Sequence, residues 1–300
     1  MEFINSSNEH EEYQYINLIS KILKEGVIDD GRNGRTRSIF GYSMRFSLKD
    51  GNIPLITTKR TAWKTCLKEL LFFIRGETDN RILRESGVNI WNANSTREFL
   101  DSRGLFDYPE DCLGPIYGFQ WRNWNGTYSI NNKEKDNKKG IDQLLNIINI
   151  LKNPETRSSR RLILTAWNPE QIDKMALPPC HVMAQFNVRE DKWLSCCLFQ
   201  RSGDVGLGVP FNIASYSFLT HIIAKHCGLL TDEFVYFLGN AHIYEEHIDA
   251  LKKQTERIPF TFPKIEVINI KENIEDYKID DIKFNNEYIC HSPIHMEMKA

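Results

Sequence analysis

Between Ile213 and Lys225 the only basic side chains are His221 and Lys225 and no residue is acidic, and the spacing predicts a strongly apolar helix with Asn212 placed to cap its start. A helix without a wide polar face has to be covered by other elements. The segments Leu162–Trp167, His181–Val188, Trp193–Phe199 and Phe234–Leu238 are predicted to be extended, and within the second Val182, Phe186 and Val188 alternate with polar Gln185 and Asn187. Three further helices are predicted over Glu11–Glu25, Ala62–Ile74 and Ile141–Leu151, ended by Gly26, Gly76 and Asn153-Pro154. A last helix is expected over Glu245–Lys253 and a last strand over Phe262–Ile270, while Asp29–Arg37 is taken as a Gly- and Arg-rich loop leading into extended Ser38–Leu48. The expected architecture is α+β: a single domain, with a mixed twisted β-sheet packed against long helices. Residues 1–10 are expected to be a flexible segment, residues 11–300 one domain, and residues 92–140 its least regular part, carrying a surface insertion.

Charge narrows the ligand classes. Of the 300 residues 41% are hydrophobic, enough for a large core, and the formal net charge is −2. No global field draws in nucleic acid or an acidic membrane. An anionic ligand must be held by local arginines or lysines. No apolar run is long enough to span a membrane, and Met1–Ser20 lacks the apolar core of a secretory signal, so a cytoplasmic location is expected. The seven cysteines show no C-x-x-C spacing, so free thiols are expected rather than disulfides or a metal site.

Four motifs can carry chemistry. In Leu177-Pro178-Pro179-Cys180-His181 two prolines fix the backbone ahead of a cysteine at the start of a strand. A thiol with a pKa of about 8.5 needs nearby positive charge or a base to act as a nucleophile. Buried cysteine is the commoner fate, and it suits Cys66, Cys196, Cys197 and Cys227; the rigid junction at Cys180 favours the nucleophile. Next, Gln200-Arg201-Ser202-Gly203-Asp204 leads through Leu207, Gly208 and Phe211 to Asn212; arginine beside a hydroxyl suits a phosphate, although the segment is no P-loop. Arg160-Arg161 at a strand entry is as readily a solvated strand end as an anion site. His242 and Tyr244, two residues apart, share a face if extended.

Together these motifs resemble the thymidylate synthase family from about Tyr15 to the C-terminus. Supporting stretches are Thr57-Thr58-Lys59-Arg60, Glu69-Leu70-Leu71, Ile90-Trp91, Gly114 to Arg122 and Met296-Glu297-Met298. The resemblance implies a transferase that methylates dUMP to dTMP, with 5,10-methylenetetrahydrofolate as one-carbon and hydride donor, no metal, and dihydrofolate as product. It implies that Cys180 adds to C6 of the uracil ring, with Tyr117 close by and Glu69 organising proton transfer near C4 and C5. Arg32, Arg201 and Ser202 would hold the phosphate, joined by Arg160 and Arg161 from the other subunit of a homodimer formed through the sheet face. Asn212 would read the base, and His242 and Tyr244 the ribose hydroxyl. Ile90, Trp91, Asp204, Leu207, Gly208, Phe211 and Ala300 would line the folate site, Asp204 touching dUMP as well, and Lys59 would meet the folate's glutamate. Arg201 is expected to lower the thiol pKa and burial to raise that of Glu69.

Three positions depart from the family pattern. The phosphate loop is the short Gly31-Arg32-Asn33-Gly34-Arg35-Thr36, leaving Arg32 or Arg35 as the contact, with Arg32 favoured; Asn240 replaces the usual Asp; and the chain ends in Lys299-Ala300. A hydroxymethylase using the same intermediate, a Cys–His hydrolase and a non-catalytic nucleotide- or RNA-binding relative are the competing readings.

Overall fold

The computed structural model describes residues 10–31, 34–130 and 138–298. The chain runs through α1 (Tyr13–Glu25), β1 (Val27–Gly31), β2 (Gly34–Ser47), α2 (Trp63–Ile74), α3 (Asn80–Glu85), α4 (Arg97–Ser102), α5 (Tyr117–Asn123) and α6 (Gln143–Lys152). It continues through β3 (Ile163–Thr165), β4 (His181–Arg189), β5 (Trp193–Asp204), α7 (Gly208–His226), β6 (Leu230–Tyr244), α8 (Ile248–Thr255), β7 (Ile265–Val267) and β8 (Ile282–Phe284). Six strands form one mixed sheet in the order β1-β2-β6-β5-β4-β3, and only β5 and β6 pair in parallel. Parallel neighbours need a crossover, and α7 supplies it. The expected α+β single domain is what forms.

Helix α7 is the centre of the core. Nearly every side chain from Val209 to Ala224 is buried, as its lack of a polar face requires. It lies against β5 and β6 on one side and α2 on the other. The sheet face turned towards it is mostly apolar: Met44, Phe46, Phe186, Leu198, Phe234 and Leu238 are all buried, with Gln200 among them reaching Asn212 of the helix. The opposite face is different. Phe199 and Phe237 pair in register there, and each keeps more than 40% of its surface exposed in the single chain.

The sequence expectations need correction at several elements. Helix α7 starts at Gly208, so Asn212 sits inside it and does not cap it. Proline is tolerated in a first helical turn, where its missing N–H has no partner to lose, so Pro210 does not delay the start. The stretch 29–37, expected as a loop, lies mostly in β1 and β2, which pair antiparallel and extend the sheet at its edge. The expected last strand shrinks to β7, and β8 was not anticipated. The described residues of 92–140 include the short helices α4 and α5. Val182 is out of phase because the β4–β5 register shifts between His181 and Met183.

Candidate functional site

Strand register builds the site. His181 opens β4 opposite Gln200 of β5, so Cys180, one residue before, falls beside Arg201, one residue after. The parallel register of β5 and β6 sets Ser202 beside Asn240 and Asp204 beside His242. The register of β2 and β6 sets Thr36 beside Tyr244. These ends line one cavity of about 520 Å³, with Asp29, Gly31, Gly34, Asn94 and Leu177 completing its wall. The sequence motifs, scattered over two hundred residues, are thus brought together as neighbours on one sheet.

The two prolines act as acceptors. Arg201 donates from Nε to the Pro179 carbonyl at 3.0 Å and from Nη2 to the Pro178 carbonyl at 3.1 Å, while its backbone N donates to the Cys180 carbonyl at 3.0 Å. The Cys180 backbone N donates to the Tyr117 hydroxyl at 2.7 Å. Held in this way, the guanidinium stands 3.8 Å from the Cys180 Sγ. It also lies 5.7 Å from the Trp167 ring centroid. Arg201 acts on the thiol in the expected direction, but a larger effect opposes it. Burial pushes the Cys180 thiol above the ordinary cysteine range, and Arg201 pulls it down without cancelling that effect.

His181 is a poor base for this thiol. Its ring is buried among Tyr117, at 5.0 Å, and Tyr216, at 5.4 Å. Burial lowers its pKa to about 4, with Asn212 opposing, so it is neutral at physiological pH. The Cys–His hydrolase reading loses its imidazolium.

Asn212 is held in one orientation. Gln200 Nε2 donates to the Ser202 carbonyl at 2.8 Å, and a carbonyl only accepts, so that atom is the amide nitrogen. Gln200 Oε1 then accepts from the Tyr236 hydroxyl at 2.6 Å, and Nε2 donates to Asn212 Oδ1 at 3.0 Å. The Asn212 amide cannot flip without breaking this chain. His242 Nδ1 lies 3.0 Å from Asn240 Oδ1, an acceptor, and donating to it leaves Nε2 as an acceptor in the neutral ring. Burial keeps that ring neutral by lowering its pKa, against Asp204 and Asn240. Asn240, with its amide oxygen, supplies the acceptor that an Asp would.

Glu69 lies on the buried face of α2, where Trp91 Nε1 donates to its Oε1 at 2.7 Å. Burial raises its pKa to about 7, opposed by that bond. The sign follows from linkage. Below the unfolded value both states are protonated and Glu69 costs nothing. As pH rises through about 7 the folded carboxyl ionises in an apolar site, and the destabilisation reaches its full size. Glu69→Gln should therefore raise Tm by a few degrees above neutral pH and by little in acid. Thermal unfolding at both ends checks it; an equal shift at all pH values would show that the carboxyl is not held neutral.

The remaining expected residues separate into groups. Trp91 is buried, packing edge-on to Tyr117 at 6.3 Å; Ile90 is half-buried against the core. Leu207, Gly208 and Phe211 form the start of α7 and are partly exposed. Lys59 is buried, and its ammonium donates to the Gly206 carbonyl; burial lowers its pKa to about 8, with Asp204 opposing. Arg160 and Arg161 are exposed at the turn before β3 and do not line the cavity of their own chain. Arg35 is exposed and 3.7 Å from Asp30. Arg32 and Ala300 lie outside the described residues. Asn94 was missed. It closes a short 3₁₀ turn, where periodicity gives no signal, yet it lines the cavity with a buried, unpartnered Nδ2.

The chain matches the family described as thymidylate synthase over residues 13–300. It is 50% identical over 292 residues to the bifunctional dihydrofolate reductase-thymidylate synthase of Leishmania amazonensis, covering 96% of this chain and 55% of that protein. With the protein of the same name from Plasmodium berghei (strain Anka) it shares 50% identity over 293 residues, 97% of this chain and 49% of the relative. With that of Paramecium tetraurelia the identity is 49% over 291 residues, 97% and 62% of the two lengths. The chain spans about half the length of the curated relatives it matches.

Proposed function

We propose that this chain, which belongs to the thymidylate synthase family, converts dUMP to dTMP, with Cys180 as the nucleophile that adds to C6 of the uracil ring. The observation that carries this is the clamped Arg201 guanidinium 3.8 Å from a cavity-facing thiol. An arginine in that place favours the thiolate and also offers its fork to a phosphate. With Ser202 it forms the phosphate end of the cavity, and His242 Nε2 and Tyr244 form the end for a ribose hydroxyl. Tyr117 fixes the Cys180 backbone. Glu69, with a pKa near 7, is suited to holding or moving a proton beside the ring at physiological pH.

The co-substrate is 5,10-methylenetetrahydrofolate, which supplies the methylene and the hydride. The wall from Trp91 to Asn94 fits it, because the unpartnered Asn94 Nδ2 is a buried donor awaiting an acceptor. Trp91, Ile90, Leu207, Gly208 and Phe211 are assigned to this side with Asp204, the one of the six that lines the cavity, and Ala300 lies beyond the described residues. In this structure Lys59 holds the Gly206 carbonyl, so meeting a folate glutamate requires it to leave that partner. Arg32 remains the choice for the N-terminal phosphate contact.

The enzyme acts as a homodimer in the cytoplasm, its sheets apposed through the face bearing Phe199 and Phe237. No helix among the described residues is long and apolar enough to cross a membrane. Dihydrofolate formation from dUMP and methylenetetrahydrofolate, followed spectrophotometrically, tests the reading; hydroxymethyl product or no dihydrofolate overturns it.

The fixed Asn212 amide yields a further expectation. With Oδ1 held by Gln200, Nδ2 is the atom offered as donor, and uracil O4 is an acceptor. An aspartate in its place would keep the Gln200 bond but present an acceptor to O4, and would accept the cytosine amino hydrogen instead. One bad polar match in a dry site costs about 1–3 kcal/mol, or roughly ten- to hundredfold. Asn212→Asp should lose that much kcat/KM for dUMP and gain relative use of dCMP. An unchanged ratio of the two would remove Asn212 from base recognition.

A further inference from the structure

His247 lies outside the cavity and no catalytic step uses it, yet it joins three parts of the site. It ends the 3₁₀ turn Glu245–His247 that follows β6, and its ring is buried. Its Nε2 is 2.8 Å from the Glu297 carbonyl, which only accepts, so Nε2 carries a hydrogen. Its Nδ1 points at Asp204 Oδ1, 3.9 Å away, and is buried without a hydrogen-bond partner. The ring also meets Tyr244 edge-on at 5.5 Å.

Gly206 shows how closely these parts pack. A Cβ at this position would stand 2.9 Å from His247 Nδ1, 3.2 Å from Asp204 Oδ1 and 3.2 Å from the Met296 sulfur. The Gly206 backbone N donates to Asp204 Oδ1 at 2.8 Å, and Lys59 reaches the Gly206 carbonyl from the other side. The C-terminal segment, through Met296 and Glu297, therefore rests on the turn that carries Asp204.

We propose that His247 is a positioning residue that docks the Met296–Glu297 segment onto the Asp204 turn and so holds the folate-binding wall in place. This rests on the thymidylate synthase reading of the cavity. Only the imidazolium bears hydrogens on both nitrogens, so only that form serves the Glu297 carbonyl and the Asp204 carboxylate together. The groups facing it are Asp204 and Glu246, with Lys59 and His242 also acting on Asp204. Burial lowers the His247 pKa, but Asp204, the Glu297 carbonyl and Glu246 outweigh it, and the net shift is upward. The double link is thus complete in mild acid and is lost as pH rises through the raised value.

Hydrogen exchange of the peptide spanning residues 291–298, corrected for intrinsic rates, reads the docking directly. Wild type should lose protection as pH rises. His247→Gln keeps a donor for the Glu297 carbonyl but no charge, so its protection should be intermediate and independent of pH. His247→Ala and Gly206→Ala should lose protection throughout. In kinetics all three should raise the folate KM by roughly tenfold, the loss expected for one charge-assisted hydrogen bond, with dUMP affinity unchanged. Wild-type exchange and folate KM in His247→Ala would overturn the proposal, as would equal losses in dUMP and folate binding. An inactive wild type whose exchange still follows this pattern would instead overturn the reading of the reaction and leave the docking standing.

Discussion

Replacing Cys180 with alanine is expected to reduce dTMP formation to background while dUMP still binds. The loss should be at least about a thousandfold, as for removal of a covalent nucleophile whose partners cannot substitute for it. No other thiol lines the cavity among the described residues: Cys66, Cys112, Cys196 and Cys227 are buried elsewhere, Cys197 lies on the outer sheet face, and Cys290 is on the C-terminal segment. Arg201 stays in place because its clamp uses the Pro178, Pro179 and Cys180 carbonyls, which alanine preserves, and the partners of Asn212 and His242 are Gln200 and Asn240. Binding of dUMP, measured by calorimetry without folate, should therefore change only a few-fold. Substantial residual dTMP from the variant would remove Cys180 from the chemistry.

The residues of this site were legible in the sequence where the local chain already constrains them. Pro178-Pro179 marks a rigid approach to Cys180, and the Arg201 to Asn212 motif combines groups that a mere turn does not need. What could not be read was the balance of opposing effects. The sequence places Arg201 near the thiol, but only the packed structure shows burial outweighing it. It marks Asn212 as the reader of the base, but not that Gln200, Ser202 and Tyr236 hold its amide. Helix α7 shows the same limit at the level of fold. Its apolar body is evident from Ile213 onward, yet Gly208 and Pro210 read as loop residues although a first turn accepts both. Asn94 was invisible because nothing in its local pattern reports that its amide ends up buried and unpaired.

The balance of charge in the cavity leads to the second large effect. Among the described lining residues Arg201 is the only arginine or lysine, and Asp29 and Asp204 face the same space. A dianionic phosphate would be poorly matched by that set. Arg160 and Arg161 meanwhile stand exposed before β3, on the edge strand of the sheet whose outer face leaves Phe199 and Phe237 partly exposed. A second copy apposed through that face would cover the phenylalanines and could deliver both arginines to the neighbouring cavity. Arg160→Glu should then cost at least about a hundredfold in kcat/KM for dUMP, because it removes a phosphate contact and adds a repulsive charge. Its damage would fall on the partner's site. Mixing Arg160→Glu chains with Cys180→Ala chains, unfolding and refolding, makes about half of the dimers mixed, each with one intact site, so about a quarter of wild-type activity should return. The intact site pairs the Cys180 of one chain with the Arg160 of the other. Native mass spectrometry would establish that the mixed dimers formed. Recovery of no activity in their presence would place Arg160 in its own chain's site.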